Sequence, residues 1–338
     1  MFFCLQKREE YIMKKFYGVL VVFLFVFAFL AGCGNTEEQN KKDDNTNPVT
    51  EQSGDNKEAS FPVTIKDASN EDVVIEEKPE KIISLIPSNT EIVYALGEGD
   101  AVVGVSDTDN YPEEVVNKEQ VSSYTGINME KVLALEPDIV LAHQSNLTMW
   151  ETGIQQLRDN GITVLVVNDA QNFDAVYTSI EMIGKAIGRT TESEALINDM
   201  KTKLDELKTK AEAVTDKKKV FIEISGAPEI YASGKDSFIN EMLEVIQAEN
   251  AVQENGYPQM SEEAVIELNP DIILVTYGAY VEDAPAQVMD RDGWQDVTAI
   301  KEKQVYEVNE DLVSRTGPRI VEGVEELAKS IYPEVFGE

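Results

Sequence analysis

An α/β fold of two similar, Rossmann-like lobes joined by a single long helix is what the chain predicts, on three observations. Short apolar runs of strand length alternate with helix-spaced segments from residue 61 to the C-terminus, the pattern of parallel α/β layers. The stretch "MEKVLALEPDIVLA" from Met129 returns as "SEEAVIELNPDIILV" from Ser261, with Glu130 and Glu263, and also Tyr124 and Tyr257, at one common offset. Between the copies runs "TTESEALINDMKTKLDELKTKAEAV", dense in charge, apolar near helical spacing, and free of glycine and proline.

At 338 residues and 42% hydrophobic content, the chain can bury the cores of two ordinary domains. A formal net charge of -34 repels phosphate backbones and weighs against nucleic acid as a partner. Both cysteines, Cys4 and Cys33, precede the folded part, so no disulfide framework is expected in it. The lone histidine, His143, cannot form the multi-histidine sites that zinc usually needs, and neither a metal nor a cofactor is expected.

Residues 1–32 read as a signal peptide: Lys14 and Lys15 lead into an uninterrupted apolar stretch that closes on small residues. Leu30-Ala31-Gly32-Cys33 looks like a bacterial lipobox, which implies cleavage before Cys33 and a lipid on its thiol. A retained membrane anchor is the alternative for a run of this length. Met13, just ahead of the two lysines, would make a more usual start than Met1. Residues 33–60 are polar and charged, too poor in large apolar side chains to offset their ordering entropy, and read as a flexible tether.

The N-terminal lobe is expected over residues 61–188. "FPVTIKDASNEDVVIEE" alternates on both sides of Ala68-Ser69-Asn70 and reads as a hairpin. "KIISLI" is a buried strand, and "TEIVYALG" a helix behind a Ser88-Asn89 cap with a Gly97 stop. "AVVGVS" (strand), "NMEKVLALEP" (helix), "DIVLA" (strand), "WETGIQQLRDNG" (helix) and "TVLVV" (strand) follow. Residues 189–214 form the connecting helix, largely solvated. The C-terminal lobe, residues 215–338, repeats the order: "KVFIEIS", "SFINEMLEVI", "SEEAVIELNP", "DIILVT", "WQDVTAI", "QVYEV" and "RIVEGVEELAKSIY". Trp294 is expected to begin a helix as a core residue with Val297 and Ile300 beneath it, whereas Trp150 is open between core and site. A Leu-x-Pro-Asp-Ile string is a general way to end a helix and enter a buried strand. It leaves the paired surface glutamates unexplained.

In open α/β sheets, ligands sit beyond the carboxyl ends of the strands. That places candidates at Ser88-Asn89, Ser106-Asp107, His143-Gln144, Thr276-Tyr277 and Asn309 to Arg315, with Tyr111, Tyr124 and Tyr257 in adjoining loops. Tyrosine offers a flat apolar face with a hydroxyl at its rim, suited to a large planar ring. His143 reads as a polar lining residue rather than a metal ligand, and Arg315 has Asp311 one helical turn away as an alternative partner.

Lipobox, tether, hairpin, "KIISLIPSNTEIVYALG", "YTGINMEKVLALEPDIVLA", "ASGKDSFINEMLEVIQAEN", "YPQMSEEAVIELNPDIILV" and "RTGPRI" together resemble the iron-siderophore/cobalamin class of substrate-binding lipoproteins of ABC importers, over essentially all of the chain from Phe61. Within that class the chain looks most like vitamin B12-binding proteins. The resemblance implies a ligand in a cleft between the lobes, no catalysis, and lipid anchoring on the extracytoplasmic face of the cell membrane. It also implies partnership with a permease dimer and its ATPase. Glu130 and Glu263 match the glutamates with which such proteins dock on the permease. Tyr124, Tyr257, Asp311 and Arg315 match positions that contact a corrinoid; Tyr124 and Tyr257 stand where tryptophan is frequent, and Leu312 replaces another aromatic. Ligands rank corrinoid, then ferric siderophore, then haem, because a catecholate siderophore needs clustered cations and the chain offers Arg315 with Arg319 and Lys235 as outsiders. A lipid-anchored extracellular enzyme is the contrasting class, but G-x-S-x-G, a metal cluster and a cysteine nucleophile are all lacking, and Asp107 with Asp109 reads as a solvated pair. A purely structural surface lipoprotein would bind no small molecule.

Overall fold

The computed structural model describes residues 60–337. The signal peptide, Cys33 and all of the tether but Ser60 lie outside them. Strands β1 (Val63–Lys66) and β2 (Asp72–Ile75) pair antiparallel as a separate hairpin, burying Val63, Ile65, Val73 and Ile75 in alternation. Asn70 turns the chain at φ 66°, and the Asp67 carboxylate accepts hydrogen bonds from the amides of Ser69 and Glu71. The same carboxylate accepts from the Val166 amide, which pins the hairpin to the edge of the first sheet.

That sheet takes β3 (Ile82–Ser84), β4 (Val102–Ser106), β5 (Glu119–Ser123), β6 (Gly126–Ile127), β7 (Ile139–His143) and β8 (Thr163–Val167) in the order β6-β5-β4-β3-β7-β8, parallel except for β6. The chain leaves β3 toward β4 and returns on its other side at β7. The order therefore reverses between β3 and β7, which opens a crevice at their carboxyl ends. Helices α1 (Pro87–Ala95), α2 (Met129–Leu135), α3 (Leu147–Asp159) and α4 (Phe173–Ala186) connect the strands. Helix α1 starts earlier than its sequence implies: Pro87 takes the first position, Ile86 precedes it without a side-chain cap, and Ser88 and Asn89 are buried in the first turn. Helix α4 carried no sequence expectation.

Helix α5 (Thr190–Ala211) leads to the second sheet. It is less solvated than its charge implies. Ser193, Ile197, Met200, Leu204, Leu207 and Ala211 recur at intervals of three and four and form one buried stripe. The stripe packs on α4 from the first half and on helices of the second, within an apolar cluster common to both.

In the second half β9 (Lys219–Ser225), β13 (Ile272–Val275) and β14 (Val305–Glu307) run parallel. Strands β10 (Ile230–Ala232) and β12 (Gln259–Met260) extend the β9 edge antiparallel, and β11 (Glu249–Asn250) joins β9 parallel. Its helices are α6 (Phe238–Val245), α7 (Glu262–Leu268), α8 (Ala284–Met289), α9 (Thr298–Lys301), α10 (Glu310–Ser314), α11 (Ile320–Ile331) and α12 (Pro333–Phe336). Trp294 is fully buried but stands in the loop before α9, with the Arg291 guanidinium 4.7 Å from its ring centroid. Successive strand residues fall into different clusters: Ile272 and Leu274 join the shared core, while Ile273 and Val275 face Trp294 and Val297 on the other side. Burial on both faces explains why these strands read as continuous apolar runs.

The repeated motif folds the same way twice. Asn128 caps α2 by accepting from the Lys131 amide, and Ser261 caps α7 by accepting from the Ala264 amide. Each helix ends on a left-handed residue, Glu136 at φ 49° and Asn269 at φ 44°. The aspartate of each Pro-Asp-Ile then receives backbone amides where a neighbouring strand begins: Asp138 from Glu80 and Lys81, Asp271 from Lys219. Lys81 and Lys219 in turn donate to the terminal carbonyls of Leu135 and Leu268. Most of the repeat is thus a clasp between helix end and strand start. Glu130 and Glu263 lie outside the clasp, exposed in the first turns of α2 and α7.

Candidate ligand-binding cleft

A cavity of 410 Å³ lies at the carboxyl ends of the strands and is lined from both halves of the chain. Ile86, Pro87 and Ser88 follow β3, His143 ends β7, and Asp169, Ala170 and Gln171 follow β8. From the second half come Ile224 at the end of β9, Thr276 after β13, Tyr257 from the loop before β12, Phe238 and Ile239 at the start of α6, and Glu310, Val313, Ser314, Arg315 and Thr316 around α10. Asp169, Gln171 and Phe238 carried no sequence expectation, although the strand-end rule applied to "TVLVV" would have pointed to Asp169.

Of the residues expected at the site, Ser88, His143, Tyr257, Thr276, Arg315 and part of the stretch before it line this cavity, and Asn89, Ser106, Asp107, Tyr111, Tyr124, Gln144, Tyr277 and Asp311 do not. Tyr257 is 52% exposed, and burial, then the charge of Asp169, raises the pKa of its hydroxyl. Tyr124, at the equivalent place before β6, is 80% exposed. Tyr277 is buried and its hydroxyl donates to Glu223, which also forms a two-pronged pair with Arg291. His143 is buried, its Nδ1 lies within hydrogen-bond reach of the Ser145 amide and hydroxyl, and burial lowers its pKa. Among the described residues no group of three or more His, Cys, Asp or Glu side chains is placed to hold a metal ion.

Arg315 is heavily engaged. Its guanidinium donates to Glu91, to the Asn110 side chain and to the Thr108 carbonyl, and pairs with Asp311 at 2.8 Å. Arg319 donates to both Glu91 oxygens at 2.9 and 2.6 Å and stacks on the Tyr111 ring, 3.8 Å from its centroid. Asn110 also donates to Asp311. A clamp of Glu91, Asn110 and Tyr111 from one half and Asp311, Arg315 and Arg319 from the other therefore closes one side of the cleft. Hydrogen bonds to charged groups contribute about 1.5–3 kcal/mol each, so an anionic ligand would have to displace several of them to recruit Arg315.

Residues 82–312 match the periplasmic binding protein family. The chain belongs to that family. An uncharacterized ABC transporter substrate-binding lipoprotein of Bacillus subtilis is 50% identical over 96% of this chain and 100% of its own length. A cobalamin-binding protein of Halobacterium salinarum is 30% identical over 84% of this chain and 78% of its own. The crystal structure of a possible iron-binding (periplasmic solute-binding) protein from Staphylococcus epidermidis is 38% identical, with a TM-score of 0.70 over 76% of this chain and 100% of that one. The mixed α/β architecture is that of the family, whose members serve transport as substrate-binding proteins rather than as enzymes. The chain is the substrate-binding component of an ABC transporter, and a small-molecule ligand and a permease with its ATPase follow as partners.

Proposed function

We propose that the protein holds a corrinoid in the cleft between its two halves and delivers it to the permease of an ABC importer. The observation that carries this reading is the pairing within the cavity wall: aromatic and hydroxyl groups face the space, while its one arginine is committed to Glu91 and Asp311. A large, uncharged, polar-rimmed ring suits such a wall, and a catecholate siderophore, which needs free cations, does not. The cobalamin-binding relative supports the same choice. A ferric hydroxamate or a haem is the second reading, favoured by the likeness to the staphylococcal structure for iron. On our reading Tyr257, His143 and Arg315 contact the ligand, and Tyr111 and Asp311 hold Arg319 and Arg315 in place. Tyr277 positions the loop after β13, and Tyr124 stands at the outer lip. Glu130 and Glu263 dock the two equivalent permease subunits. Cys33 carries the lipid that anchors the protein outside the membrane, with residues 61–188 and 215–338 as lobes about the helix at 189–214. Deleting the gene in a strain that grows only on scavenged cobalamin tests the reading. Growth should then need a much higher cobalamin supply while iron-complex utilisation is unchanged; the reverse pattern would transfer the role to iron.

A further inference from the structure

The cleft is unevenly charged. Asp169 after β8 and Glu310 at the start of α10 bring two carboxylates to the cavity, one from each half, and Arg315 is its single cationic side chain among the described residues. That cation is neutralised by Glu91 and Asp311, not by the cavity's own carboxylates. The field of Asp169 reaches two other lining groups: after burial, it is the next influence on both Tyr257 and His143. Burial raises the pKa of Glu310 and the adjacent Asp311 adds to it, while a hydrogen bond from the Tyr280 hydroxyl and the charge of Arg315 act the other way.

We propose that Asp169 and Glu310 select the ligand by its periphery, accepting N–H bonds from a corrin ring edged with amides and repelling a ring edged with carboxylates. The inference rests on the corrinoid reading above. A carboxylate accepting from an amide N–H makes a charge-assisted bond, whereas two carboxylates brought together in a cleft cannot both stay ionised without cost. The same two residues would reject a haem through its propionates.

Dicyanocobyrinic acid heptaamide and dicyanocobyrinic acid share ring and axial cyanides and differ only in amide against carboxylate, so titrating the purified full chain with both isolates the periphery. The heptaamide should bind at least about 100-fold more tightly at neutral pH, a gap of the size that like-charge contacts produce. In the Asp169→Asn, Glu310→Gln double variant the gap should narrow at least about tenfold, with a smaller narrowing in Asp169→Asn alone, an exposed position where the fold is indifferent to the change. Affinities within about threefold of each other in the parent, or a gap unmoved by either variant, would overturn the assignment. Absence of heptaamide binding would instead take down the corrinoid reading, and this inference with it.

Discussion

Glu91, buried under the Arg315 and Arg319 guanidiniums, is the residue on which the clamp between the halves turns. Breaking a buried pair by removing one partner costs about 3–5 kcal/mol, because the charge left behind stays desolvated. Glu91→Gln should therefore lower the unfolding free energy by about 3 kcal/mol in urea melts; an unchanged midpoint would show that the clamp adds nothing to stability. Nearby Asp109 is not half of a solvated pair with the exposed Asp107, as its sequence suggests, but buried, which pushes its carboxyl up to about 6. Its value in the unfolded chain is about 3.9, so the folded state holds the proton more tightly, and the group favours folding at low pH and loses that contribution as pH rises through about 6. Asp109→Asn should accordingly gain about 2 kcal/mol relative to the parent between about pH 4 and pH 7, and a pH-independent difference would contradict the assignment. Tyr257 and Tyr124 make the third contrast at this scale. Tyr257→Ala should weaken ligand binding about tenfold, the loss expected for an aromatic face at a binding site, while Tyr124→Ala should leave affinity unchanged. The two tyrosines are indistinguishable in the sequence; only the lay of the chain before β12 brings Tyr257 to the cavity and leaves Tyr124 at 80% exposure.

Helices α2 and α7 show how two constraints share one motif. Asp138 and Asp271 are held by strand-start amides, so the Leu-x-Pro-Asp-Ile string repeats for a structural reason, while the exposed Glu130 and Glu263 suit the first turns of their helices but take no part in that clasp. If they dock the permease, Glu130→Ala with Glu263→Ala should abolish uptake and leave ligand affinity at its parent value; equal losses in both would place the glutamates in ligand binding instead. Most elements were legible because burial on both faces gives β7, β8 and β13 nearly unbroken apolar runs, and because the caps Asn128, Ser237 and Ser261 mark helix starts. Helices α4 and α8 went unread, and three further features were misread. Pro87 displaced the apparent Ser-Asn cap of α1. The buried stripe of α5 was hidden by the charges around it. Trp294 packs from a loop, since burying an indole needs no helix beneath it.

At the scale of the molecule, the strand-end rule located the cleft because both sheets direct their carboxyl ends at it, and this much could be read from the order of strands and helices. What could not be read is the pairing across the halves. Asp311 and Arg315 are one helical turn apart and were open to pairing with each other, but Glu91 lies far away in sequence and nothing in its local pattern marks it as the partner of two arginines. On the proposed reading, that pairing governs which ligand charge the cleft accepts. The most direct test is a calorimetric titration of the purified full chain with cyanocobalamin, run beside ferric hydroxamate, ferric catecholate and haem. The account predicts tight one-to-one binding of cyanocobalamin and none of the catecholate or of haem. Binding of an iron complex or haem with no heat from cyanocobalamin would contradict it.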